Sequence, residues 1–62
     1  MTKYFYVDHH NNSFDIIPAD YDTFKKAVLD HENHISRLGY TVFVYSRYEN
    51  RTKTLLGFEI KG

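Results

Sequence analysis

The chain has no cysteine and no tryptophan, one proline and three glycines in 62 residues. Without cysteine there are no disulfides and no thiolate zinc site, so stability must come from packing or from association. The formal charge also cancels, with eight Lys and Arg against eight Asp and Glu. A strongly electrostatic nucleic-acid binder carries a clear basic excess, which this chain lacks. Near-zero charge also removes one guard against self-association. No run approaches the roughly 18 apolar residues of a membrane-spanning helix. The apolar stretch near Met1 is too short for a signal peptide, and the chain reads as cytoplasmic.

What the chain has in quantity is aromatic surface: six Tyr and five Phe. They suit a single domain close to the lower size limit for independent folding. Charge is mildly polarised. Residues 1–31 hold three Lys and five Asp, and residues 32–62 hold five Lys and Arg and three Glu. The composition, rich in Tyr, Asn and Lys, suits a small accessory protein of a bacterium or its phage.

Periodicity supplies the elements. Lys3 to Asp8 alternates, and so does Phe14 to Ile17; a polar, Asn-rich loop separates them, which predicts a hairpin. Pro18 is expected to end the second strand. Asp20 suits an N-cap, and bulky residues recur at Tyr21, Phe24, Ala27, Val28, His31, Ile35 and Leu38. This spacing predicts an amphipathic helix from Asp20 to Leu38, closed by Gly39 in the left-handed position. Tyr40 to Tyr48 is the longest run of β-branched and aromatic residues and reads as a strand. Glu49 to Thr52 supplies a turn, and Lys53 to Lys61 alternates again as the last strand.

The expected fold is α+β, a single ββαββ domain over residues 1–62: a four-stranded, mainly antiparallel sheet with one helix on one face. The expected core is Phe5, Val7, Phe14, Ile16, Phe24, Ala27, Val28, Ile35, Leu38, Val42, Val44, Leu56, Phe58 and Ile60. That leaves Tyr4, Tyr6, Ile17, Phe43, Tyr45, Leu55 and Gly57 on the uncovered face, fringed by Asp15, Arg47, Lys53 and Glu59. Exposed apolar patches of this size mark interaction surfaces. The expected partner-binding residues are therefore Tyr4, Tyr6, Phe43, Tyr45, Arg47 and Leu55.

Catalysis finds little support. Ser13, Ser36 and Ser46 lie in no nucleophile-elbow context, and the dispersed glycines form no phosphate loop. His31 and His34 have ligand spacing on a helix, but their surroundings match no metal motif, and no metal or cofactor is assigned. The leading expectation is a non-enzymatic, protein-binding regulator or inhibitor acting through an aromatic sheet face or a strand edge. One alternative is single-stranded nucleic-acid binding, with Arg47, Arg51 and Lys53 on phosphates. The other is a homodimer whose aromatic face is structural.

Overall fold

The computed structural model describes residues 1–31 and 34–62. Five strands and one short helix follow one another: β1 (Lys3–His9), β2 (Phe14–Ala19), a helix over 21–29, β3 (His34–Leu38), β4 (Val42–Glu49) and β5 (Thr52–Ile60). All neighbouring strands pair antiparallel in the order β2-β1-β5-β4-β3. The α+β class is close to expectation, but the sheet has five strands rather than four.

The extra strand comes from the second half of the expected helix. The helix, α1, starts as an α-turn at Tyr21–Phe24 and continues through wider turns at Lys25–Leu29. Asp20 caps it, its carboxylate accepting from the Thr23 N–H at 2.8 Å. Its end is marked by two different closures, Asp30 N–H to the Lys25 carbonyl and His31 N–H to the Val28 carbonyl. Glu32 and Asn33, which the expected helix also took in, lie outside the described residues. From His34 onward the chain is extended and pairs with β4.

The physical reason is that His31, Ile35 and Leu38 fit a helical stripe no better than Ile35 and Arg37 fit one side of a strand. A strand there satisfies the backbone of β4, which would otherwise be a bare edge. Gly39 is left-handed, with φ of 76°. It opens the loop from Leu38 to Val42, however, and does not close a helix.

The other turns follow local chemistry. Asn50 and Arg51 both have positive φ, 50° and 64°, and join Glu49 to Thr52 in a two-residue hairpin loop. Such loops need left-handed residues at both positions to match the strand twist, and asparagine suits the first. Between β1 and β2, the His10 N–H donates to the Ser13 carbonyl at 2.8 Å. Pro18 does not end β2, which runs on to Ala19 with Pro18 opposite Phe5. β2 is an edge strand, where sheets tolerate proline.

The helix covers the face opposite to the one expected. Phe24 and Val28, four residues apart on α1, are fully buried and pack on Tyr45, with Tyr4, Tyr6, Phe43 and Leu56 around them. Register shows why. One row across the sheet reads Ile17, Tyr6, Gly57, Tyr45, Ile35. Gly57, at its centre, is the one position without a side chain, and the helix settles onto it. A Cβ on Gly57 would lie 2.7 Å from Val28 Cγ2 and 2.6 Å from the Phe5 carbonyl oxygen. The face bearing Phe5, Val42, Val44 and Phe58 has no such gap, so a helix cannot approach its backbone as closely.

A register shift beside Tyr45 and Ser46 exempts Leu55 and Leu56 from the inversion. Ser46 pairs with Leu55 while Tyr45 pairs with Gly57, so Leu56 is the extra residue of a bulge. Leu56 turns toward the helix, and Leu55 falls on the same side as Ser46.

Candidate interaction face

With α1 on the tyrosine side, no element among the described residues lies over the opposite side of the sheet. Its central row is Pro18, Phe5, Phe58, Val44, Ser36. A second row adds Lys3, Ile60, Val42 and Leu38. Ile16 and Phe14, opposite Val7 and His9, extend the apolar surface along the β2 edge. Phe14, Ile16 and Leu38 are 56, 50 and 60% exposed. Large apolar side chains held in water on one continuous face are the unusual feature of this surface.

The face is internally ordered. The rings of Phe5 and Phe58 stack across β1 and β5 with centroids 5.0 Å apart. His9 and Phe14 rings lie 6.3 Å apart, and His9 Nε2 sits 2.7 Å from the Leu55 carbonyl oxygen, to which it donates. His34 and Ser36 share a 3.0 Å side-chain hydrogen bond at the β3 edge. Ser46 is buried beneath this end, and its hydroxyl finds no hydrogen-bond partner among the described residues.

Charge is sorted between the two sides. The strand carboxylates Asp8, Asp15, Glu49 and Glu59 all share the helix side, by alternation and register. Tyr45 donates its hydroxyl hydrogen to Glu59, and Lys61 and Arg37 lie over the Phe43 ring at 4.8 and 5.8 Å. His10 sits between Asp15 at 2.9 Å and Asp8 at 3.9 Å. The hydrogen bond to Asp15 raises the His10 pKa above its ordinary value, with the charges of Asp8 and Asp15 adding to it. Among the described residues, the uncovered side holds Lys3, Lys53 and two histidines, and no strand carboxylate.

The residues expected to bind a partner are thus divided. Tyr4, Tyr6, Phe43 and Tyr45 pack under α1 and serve the core, with Phe24 5.0 Å from Tyr4 and 5.5 Å from Tyr45 by ring centroid. Arg47 is exposed on the helix side and pairs with Glu49 at 3.6 Å. Leu55 alone falls on the uncovered side. Conversely, Phe5, Phe14, Ile16, Leu38, Val42, Val44, Phe58 and Ile60, expected in the core, form the uncovered face. The one sequence signal able to reverse the assignment was Gly57, an interior strand glycine that marks close approach of another backbone.

His31 and His34 are separated by the end of the helix and the start of β3, so the shared helix face expected of them does not exist. Among the described residues no group of three or more His, Asp or Glu is arranged to hold a metal ion. No described helix is long and apolar enough to cross a membrane. Comparison with known proteins gives no match: no family model fits the sequence, and no curated protein or solved structure matches the chain.

Proposed function

We propose that this chain is a small, non-enzymatic, cytoplasmic protein-binding module that acts through the uncovered side of its sheet. One observation carries the reading: an ordered apolar face, with Phe14, Ile16 and Leu38 exposed at its edges and Phe5, Phe58 and Val44 half-buried between them, has no described element over it because the helix is committed to the other side. Antiparallel sheets commonly leave one face to solvent, but that face is then usually polar. Here the strand carboxylates Asp8, Asp15, Glu49 and Glu59 lie on the helix side instead. The reading moves the binding surface away from Tyr4, Tyr6, Phe43 and Tyr45 and keeps Leu55.

The test is capture from an extract of the native host by the immobilised chain. An Ile16→Lys, Val44→Lys variant should lose the captured partner while keeping its circular dichroism. An Arg47→Ser variant, changed on the helix side, should retain it. Capture unaffected by the double variant would overturn the reading.

Single-stranded nucleic acid is the second reading, favoured by a specific arrangement. Stacked Phe5 and Phe58 lie on a sheet face that holds no carboxylate among the described residues, with Lys3 and Lys53 at its ends. Aromatic platforms of this kind can stack bases. A labelled oligonucleotide bound at low salt, with affinity falling on Phe58→Ala, would support it; no binding at low salt would dismiss it.

A further inference from the structure

Resting on the reading of the uncovered face as an interaction surface, we propose that its occupant is a second copy of this chain. The two sheets pack face to face about a two-fold axis, and each copy supplies the layer the other lacks.

Three observations support this occupant. The first is area. The chain has 4700 Å² of accessible surface, whereas a folded monomer of 7.4 kDa has about 4,200 Å². The excess of about 500 Å² approaches what one partner gives to a small specific interface, roughly 600 Å². The face itself is large enough: five strands spaced ~4.8 Å apart, over five residues of ~3.3 Å each, span about 400 Å² in projection and more as accessible surface.

The second is the small core. The fully or nearly buried apolar residues are Val7, Phe24, Val28 and Tyr45. Face-to-face sheets sit ~10 Å apart with interleaved side chains. Such packing would bury Phe5, Phe58, Val44 and Ile60 in a second core.

The third is charge. Among the described residues no strand carboxylate lies on the face, so docking strands none of these anions. Lys3 and Lys53 lie at opposite ends of it, near the first residues of β1 and β5, where long side chains keep their ammonium groups in water. The zero net charge opposes no approach of like copies. An anionic lipid surface is the competing occupant, but it is marked by clusters of roughly four to eight cations, and this face offers two lysines.

The experiment is sedimentation of the untagged chain from about 1 µM to about 1 mM. The expected result is a reversible rise to twice the chain mass. Val44→Lys, and separately the more exposed Ile16→Lys, should each weaken association more than about tenfold. If either substitution disturbs folding, amide exchange of the unaltered chain gives the same information: protection at Phe5, Val44 and Phe58 should rise with concentration.

A strict monomer at the highest concentration overturns the second-copy occupant. So does a dimer that ignores both substitutions and is lost on Ile35→Lys at the β3 edge. A monomer that co-sediments with phosphatidylglycerol vesicles, losing them on Val44→Lys, overturns the second copy but leaves the face an interaction surface. A monomer that binds no such vesicles, and whose capture of host proteins survives the double variant, overturns both.

Discussion

Gly57 lies directly beneath Val28, so close that a methyl group on the glycine would stand 2.7 Å from Val28 Cγ2. The same methyl would meet the Phe5 carbonyl oxygen at 2.6 Å, and that oxygen belongs to a paired strand. Gly57→Ala should therefore destabilise the fold by about 2–3 kcal/mol, as overpacking does. Chemical denaturation measures the loss. Adding Val28→Ala should recover little, because trimming the valine leaves the carbonyl contact in place.

The two sides of the sheet should respond differently to truncation. Phe24 is 1% exposed and contacts Tyr4 and Tyr45, so Phe24→Ala should cost about 3–5 kcal/mol. Phe14 is more than half exposed on the uncovered side, and Phe14→Ala should cost under about 1 kcal/mol in dilute, monomeric solution. Denaturant midpoints with unchanged slopes would establish the contrast. Equal losses would mean that the helix covers the other side.

Ser46 offers a gain. Its hydroxyl is buried without a hydrogen-bond partner among the described residues, so it has lost water without compensation. Ser46→Ala should raise stability by about 1 kcal/mol, read as a higher melting temperature. A lower melting temperature would show that the hydroxyl has a partner.

The first hairpin should respond to pH. Hydrogen bonding to Asp15, with the nearby charge of Asp8, lifts His10 above 6.5 in the folded chain. Because the folded value is the higher one, the stabilisation is complete below the unfolded value near 6.5. It fades as pH rises through the folded value. An NMR titration of the imidazole protons should show the raised midpoint, and Asp15→Asn should bring it back toward 6.5. An unmoved midpoint would remove Asp15 as the main cause.

Local chemistry was legible in the chain from the start. Asp20 announced the helix start, Asn50 marked the tight turn, and alternation placed most strand residues on two consistent sides. Each depends on neighbours a few residues away, which a sequence displays directly. The segment from His34 to Leu38 was not legible in this way. Its pattern satisfies a helical stripe and a strand alike, and only pairing with β4 distinguishes them.

The sequence by itself determined an α+β chain of alternating strands, with Phe5, Val42, Val44 and Phe58 on one side and Tyr4, Tyr6, Phe43 and Tyr45 on the other. Which side the helix would cover was a tertiary decision, because both sides are apolar enough to accept it. The difference lies in Gly57: three strands bring Tyr6, Gly57 and Tyr45 into one row, and the missing side chain at its centre admits Val28. Alternation along one strand cannot show that row. It exists only once β1, β5 and β4 lie side by side, and with it comes the uncovered face proposed to receive a second copy.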